Sequence, residues 1–436
     1  MRPAIVLLVA GWLFPASLQA QSQDEARDLD HRRMMDLLGI ESLRPGANGL
    51  DTTAWNYANY DESLANPYPG LPDPLLTLGR ERVTTPEMWW STRRPELVEL
   101  FEREVYGRIP DEVPGVAWSV ATTTDSTIAG RRVVVHDLVG RADNSAFPAI
   151  EVEIEAILVV PADSESPVPV LLQFGFPRWR FPGRQPEGPT WQEQVIERGW
   201  AFAILNPYSI QADNGGGLNA GIIGLANLGE PRTPDDWGAL RAWAWGAGRL
   251  LDHLESLSSV DASRVALQGH SRFGKAAAVA LAFDQRFATA FVSSSGQGGL
   301  KLHRRNWGEI IENVAGGGEY HWMAGNYLKY AGPLGWDDLP VDAHQLISLM
   351  APRPVFVSSG DVGDYWVDAR GMFLAAAHAG PVYELLGARG LGTDRFPPVG
   401  TALVAGDVAY RQHEGGHTAG PNWPVFLDWA SRYLDR

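Results

Sequence analysis

The sequence predicts an α/β fold: a mostly parallel central sheet with helices on both faces, a three-layer sandwich, and an antiparallel edge. Three observations carry this. From about residue 165 onward, short apolar runs alternate with helix-patterned segments, the order in which a crossover helix returns each strand parallel to the last. Two runs, Val168–Phe174 and Ala201–Leu205, are mostly continuous in apolar residues, as expected of strands buried on both faces. Upstream, Arg131–Leu138 and Ala149–Val160 read as antiparallel strands, the second alternating apolar and acidic residues at its start.

The elements follow in chain order. Residues 1–20 read as a signal peptide, with Arg2 as the positive start, an apolar run from Ala4 to Phe14 and a cut expected after Ala20. That run is too short to span a bilayer, which takes roughly 20 apolar residues. Residues 21–85 form an irregular lead-in rich in Asp, Asn, Pro and Gly, and residues 86–436 form a single catalytic domain. Helices are expected at Pro95–Val105, Asp235–Glu255, Lys275–Phe283 and Pro424–Leu434, the last with Pro in its first turn. Further strands are expected at Val265–Gln268, Ala290–Ser294 and Pro354–Ser358.

Composition excludes several function classes. With 36 basic against 52 acidic residues the net charge is −16, the wrong sign for nucleic acid or an anionic membrane surface. There is no cysteine, so disulfide scaffolds, thiol nucleophiles and thiolate metal sites are ruled out. The 17 tryptophans fit carbohydrate-stacking platforms and an aromatic core equally well.

The most informative segment is Gly269-His270-Ser271-Arg272-Phe273-Gly274-Lys275. An apolar strand runs into a Gly-bracketed Ser and then an Ala-rich helix, the context of the nucleophile elbow of α/β-hydrolases. The turn lifts the hydroxyl above the sheet, and the first helical N–H groups point where an oxyanion forms. The second Gly falls one residue later than in Gly-x-Ser-x-Gly. The same residues nearly spell a P-loop, but Ala276 stands where a magnesium-binding Ser or Thr belongs.

A nucleophilic Ser needs a base and an orienting acid, in the chain order Ser, acid, His for this fold. His413 and His417 lie in the loop before the last helix, and His417, after Gly415-Gly416, is the preferred base. This loop also spells His-Glu-x-x-His, but a zinc site needs both His on one helix face, and two consecutive glycines each cost about 1 kcal/mol inside a helix. The acid should follow a late strand. Asp364, four residues past Gly360, is the candidate, with Asp361 as the other carboxylate of that turn and Asp368 as a cap for the next helix.

These residues together resemble the bacterial glucuronoyl esterases of carbohydrate esterase family fifteen, over roughly Arg82 to Arg436. The elbow matches the family's Gly-x-Ser-Arg-x-Gly-Lys pattern. Trp237–Gly246 resembles its Trp-rich helix, Arg304–Glu309 its Arg-Arg-Asn-aromatic-Gly-Glu segment, and Asp364-Tyr365-Trp366 and Gly416-His417-Thr418 its later site loops. The resemblance implies cleavage of the ester between 4-O-methylglucuronic acid on xylan and a lignin alcohol. In that reading Ser271 is nucleophile, His417 base and Asp364 acid, Arg272 joins the oxyanion hole, Lys275 and Glu309 bind sugar hydroxyls, and Trp366 packs near the ring. One departure stands out. Where many members carry a Glu before Ser-Gly-x-Gly-Gly, this chain has Ser294, which moves the acid to Asp364.

No cofactor or metal is expected. The expected partners are glucuronoxylan–lignin esters or small uronate esters, met by a periplasmic or secreted monomer with no nucleic acid and no membrane attachment after signal cleavage. A secreted acetyl-xylan or other carboxylic ester hydrolase, and a catalytically degenerate glycan-binding protein, are the alternatives.

Overall fold

The structure, a computed structural model, describes residues 16–176 and 188–435, with side chains from Asp24 onward in the first helix. The expected signal peptide therefore lies outside the described residues, apart from helical backbone that begins at Ala16. Among the described residues the strands are β1 (Val116–Ile128), β2 (Arg131–Ala142), β3 (Glu153–Pro161), β4 (Val168–Phe174), β5 (Ala201–Leu205), β6 (Val260–His270), β7 (Thr289–Ser293), β8 (Val355–Ser359), β9 (Ala402–Leu403) and β10 (Val408–Gln412). They form one sheet in the order β1-β2-β3-β5-β4-β6-β7-β8-β10-β9. The run β5-β4-β6-β7-β8-β10 is parallel, while β1, β2 and β3 join it antiparallel at one edge and β9 at the other. The antiparallel strand β1 and the late strands β9 and β10 have no counterpart in the sequence reading.

Period-two alternation distributes each parallel strand over two cores. Val170, Leu172, Val265, Leu267, Ala290, Val292, Val355 and Val357 face the larger core, packed by the helices Ala239–Glu255, Arg272–Phe283, Ala343–Met350 and Ala369–His378. Leu171, Ala266, Phe291, Phe356 and Ala409 face the other, covered by the helices Trp191–Glu197 and Trp423–Leu434. That second core is aromatic: Phe291 lies 4.8 Å from Phe426, 5.2 Å from Trp423 and 5.3 Å from Phe356, centroid to centroid. Much of the tryptophan content is thus core. Trp89, Trp200, Trp237 and Trp243 are among the largest fully buried side chains.

The lead-in is not irregular throughout. Ala16–Leu37 is a 22-residue helix, and only the stretch after it is mostly turns. The whole segment buttresses residues 305–325. Tyr320 donates to Asp30 (2.8 Å), Asn306 N to the Ala65 carbonyl (2.8 Å) and Gly308 N to the Asn59 carbonyl (3.1 Å). Arg305, buried against Asp368 at 2.8 Å, reaches Glu62 of the lead-in at 3.0 Å. No helix among the described residues is long and apolar enough to cross a membrane.

Removing the Phe291 ring empties the centre of the aromatic layer. We expect Phe291→Ala to lower the unfolding free energy by about 3–5 kcal/mol, read as a reduced urea midpoint at unchanged slope.

Candidate active site

Ser271, Asp364 and His417 lie just past the carboxyl ends of parallel strands, where an open α/β sheet leaves a crevice. Strand β6 ends at His270, and Ser271 follows at φ 60°, ψ −131° before the helix begins at Arg272. That strained backbone is sparsely populated for a residue with a side chain, and its surroundings hold it there. A Cβ on Gly269 would meet the Phe273 carbonyl oxygen at 1.9 Å, and one on Gly274 would meet the Ser293 carbonyl oxygen at 2.8 Å. Strand and helix therefore approach backbone to backbone. The late second glycine is the one that packs against β7. The first N–H groups of the helix have no intrahelical partner and surround the Ser271 position.

The acid and base come from the two strands beyond. Past β8, Asp364 is 2% exposed. Its Oδ1 lies 2.6 Å from His417 Nδ1, and its Oδ2 accepts from Ser294 Oγ at 2.7 Å and Gly360 N at 2.6 Å. Burial works to raise its pKa, but the hydrogen bonds from His417, Ser294 and Gly360 outweigh burial and hold it below the ordinary carboxylate value. His417 stands in the loop after β10 with its side chain 41% exposed. The two loops touch through glycine: a Cβ on Gly360 would meet the Gly416 carbonyl oxygen at 2.3 Å. His413, by contrast, is fully buried, with Nδ1 2.9 Å from Asn422 Nδ2, and the His413–His417 stretch is a loop rather than a helix. Asp361 donates its N–H to Gly415, and Asp368 caps the next helix through Gly371 N. The structure thus brings Asp364 and His417 together, and neither Asp361 nor His413 joins them.

Ser294 sits at φ 47° at the end of β7 and donates to the acid that replaces it. The His270 ring lies against His417, tilted by 51° with centroids 4.3 Å apart. Burial first, then the neighbouring His417, pushes His270 down to about 4, so it packs there as a neutral ring.

Arg272 is held by a residue that sequence reasoning missed. Asp213, in the loop after β5, accepts from Arg272 Nη1 (2.5 Å), Trp322 Nε1 (2.6 Å) and Tyr208 Oη (2.7 Å), and lies 3.0 Å from His321 Nε2. Burial opposes its charge, but these donors, His321 and Trp322 foremost, hold its pKa far below the ordinary value. The signal was there to read: Asp213 precedes the Asn214-Gly-Gly-Gly217 run in the loop that follows an apolar strand.

The three expected sugar-binding residues also converge. Lys275, 3% exposed, pairs with Glu309 at 3.0 Å and donates to the Gln297 carbonyl. Glu309 Oε2 accepts from Gln297 N at 2.8 Å, and Glu309 N donates to the Trp366 carbonyl at 2.9 Å. Trp366 walls a cavity of about 710 Å³ shared with Tyr60, Tyr365, Asn48 and Asn56. Its ring packs on the lead-in, where a Cβ on Gly49 would approach it to 2.6 Å. Of the Arg304–Glu309 segment only Glu309 meets Lys275, since Arg304 is buried on Asp342 at 3.0 Å.

Comparison with known proteins places this geometry. A family model described as "Glucuronyl esterase, fungi" matches residues 226–387. "Carbohydrate esterase MZ0003", from an unknown prokaryotic organism, is 30% identical over 409 residues, spanning 86% of this chain and 92% of that protein. The 4-O-methyl-glucuronoyl methylesterase of Schizophyllum commune is 26% identical over 330 residues, covering 73% of this chain and 74% of its own. The solved CE15 glucuronoyl esterase from Teredinibacter turnerae superposes with a TM-score of 0.88 at 46% identity, covering 93% of this chain and 99% of its own. Likeness of that extent makes this chain a member of carbohydrate esterase family 15, the glucuronoyl esterases.

Proposed function

We propose that the protein is a serine esterase that hydrolyses 4-O-methyl-D-glucuronoyl esters by Ser-His-Asp acyl transfer, and that its natural substrates are esters joining glucuronoxylan to lignin alcohols. The observation that carries the reading is the buried Asp364 carboxylate on His417 Nδ1 at 2.6 Å, beside a strained elbow serine. With Nδ1–H engaged, His417 Nε2 is left as the base. It takes the Ser271 proton as Oγ attacks the ester carbonyl, and returns it to the departing alcohol. Water then attacks the acyl-enzyme by the same route and frees the uronate. Arg272, fixed by Asp213, and the N–H groups of the helix start stabilise the developing oxyanion. Lys275, Glu309 and Trp366 hold the sugar ring: the first two offer a charged donor and acceptor to hydroxyls, the third an apolar face.

Residues 1–20 as an export signal, residues 86–436 as the catalytic domain, and a periplasmic or secreted monomer complete the proposal. The lead-in supports it by packing behind Trp366 and the Glu309 segment.

Hydrolysis of benzyl glucuronate by the purified protein tests the activity. Ser271→Ala should reduce kcat/KM by about 10⁴-fold or more, and Asp364→Ala by about 10³–10⁴-fold, while Asp361→Ala retains turnover. Loss through Asp361 rather than Asp364 would relocate the acid. Asp213→Asn, which weakens the hold on Arg272, should lower kcat by about 10–100-fold with a smaller change in KM. An equal loss in both would make Asp213 a binding residue instead.

The pH dependence follows from the depressed Asp364 pKa. A carboxylate with a lowered folded-state pKa contributes stability that is complete above its unfolded value, about 3.9. That stability is lost progressively as pH falls from there through the lower folded value. Asp364→Asn carries no such contribution, so the wild type should lose more stability than the variant as pH drops below about 4, and the two denaturation midpoints converge in acid. Midpoints that stay parallel would show that Asp364 is not preferentially ionised in the fold.

A further inference from the structure

Glu319 is a half-buried titratable group that the mechanism above leaves without a task. It follows the Gly316-Gly317-Gly318 turn and precedes Trp322. Its Oε2 is buried with no hydrogen-bond partner among the described residues, an arrangement that normally costs free energy and calls for a reason. The charged groups that face it are Glu309, Lys275, Arg272 and Asp213. These are two ion pairs, Arg272–Asp213 at 2.5 Å and Lys275–Glu309 at 3.0 Å, and both cations lie over the Trp322 ring, at 5.3 Å and 5.4 Å from its centroid. On its own element, His321 engages Asp213, and Tyr320 is held by Asp30 with Arg232 over its ring. Burial lowers the His321 pKa despite Asp213, which favours its neutral form.

The two pairs cancel, so the wall between the oxyanion cation and the sugar-binding lysine carries no net charge of its own. Glu319 sets that charge: zero when protonated, −1 when ionised. Burial chiefly, with Glu309 adding to it against the pull of Lys275 and Arg272, pushes its carboxyl up to about 7. The reaction assigned to this pocket changes the charge of what the pocket holds. A neutral ester enters. After water cleaves the acyl-enzyme, the new carboxylic acid gives its proton by way of His417 to solvent, and an anion remains.

We propose that Glu319 is a charge-selective wall of the uronate pocket, which admits the neutral ester in either state and, once ionised, repels the carboxylate product and speeds its departure. The inference rests on the assignment of this pocket to the glucuronoyl group. A change of one unit in the charge of this wall is expected to change anion affinity by about tenfold, whereas a neutral ligand feels it far less.

The test is inhibition by glucuronate of benzyl glucuronate hydrolysis, with calorimetric titration of glucuronate in parallel, between about pH 5.5 and 8.5. The wild type and Glu319→Gln are compared. His417 and Asp364 are common to both proteins, so their contribution to the pH slope cancels. The wild-type inhibition constant should rise about tenfold more across this range than that of Glu319→Gln; parallel slopes overturn the proposal. If Glu319→Gln does not fold, Glu319→Met, neutral and of similar length, takes its place, with glucuronamide as the neutral-ligand control. The wild-type constant for the anion should again rise about tenfold more than the variant's and that for the amide no more, and coincident slopes again overturn the proposal. A wild type that hydrolyses the ester yet shows parallel slopes removes the charge wall alone. One that neither hydrolyses the ester nor binds glucuronate removes the pocket assignment, and this inference falls with it.

Discussion

The carboxylate of Asp364 accepts from three donors that arrive from three different strand ends: Ser294 after β7, Gly360 after β8 and His417 after β10. A buried charge is tolerable only when its lone pairs are filled. Filling them here fixes the relative positions of the three loops that meet at the elbow serine. The parallel sheet supplies the approximate placement, since neighbouring strands end side by side about 4.8 Å apart. The hydrogen bonds on Asp364 then set the imidazole plane and its tautomer. Ser294 completes this network from the position where many relatives place their own acid, which is why the relocated carboxylate is not left short of a partner.

A second buried carboxylate does the same for the oxyanion side. Asp213 gathers Arg272, Tyr208, Trp322 and His321 from separate loops. Arg272 is partly exposed, and a free guanidinium there would sample many rotamers; the bond from Nη1 to Asp213 and the Trp322 face beneath it restrict that freedom. The Lys275–Glu309 pair is prepared differently. It is nearly fully buried and already satisfied by Gln297. The pair contributes little net stability for its desolvation cost, but it fixes a donor and an acceptor beside each other. Glu309 is in turn fixed by the Trp366 backbone, and the Trp366 ring packs on Gly49 of the lead-in.

The two glycines of the elbow translate a local constraint into a global one. A side chain at Gly269 would collide with the backbone of the helix it precedes, and one at Gly274 with β7. Their absence lets the helix start close enough to the sheet for its N–H groups to reach the reacting carbonyl. The aromatic core on the opposite face, centred on Phe291 and Phe426, supports the same strands from below, so neither face of β6 and β7 is free to shift.

Much of this was legible in the sequence, because it depends on neighbours along the chain. The mostly continuous apolar runs of β4 and β5 matched their strands residue for residue, since burial on both faces leaves few polar residues to blur the ends. The elbow declared Ser271 through its flanking glycines, and the order Ser, acid, His limited the base and acid to two loops. The preference for Asp364 over Asp361 and for His417 over His413 was also readable, from their spacing to Gly360 and Gly415-Gly416. What lay beyond reach was anything decided by contact across the sequence. Asp213 lies tens of residues from the side chains it gathers, Ser294's bond to Asp364 spans 70 residues, and Glu319 follows a glycine turn without a periodic pattern. The helix at Ala16–Leu37 escaped notice because it is polar over most of its length and is recognisable only by what it packs against. The sequence by itself determined the layers of the fold and the kinds of residue that do the chemistry, through hydrophobic period and turn chemistry. Only the tertiary structure decided which carboxylates are charged, paired or left alone, because burial and hydrogen-bond partners exist only once distant loops have been brought together.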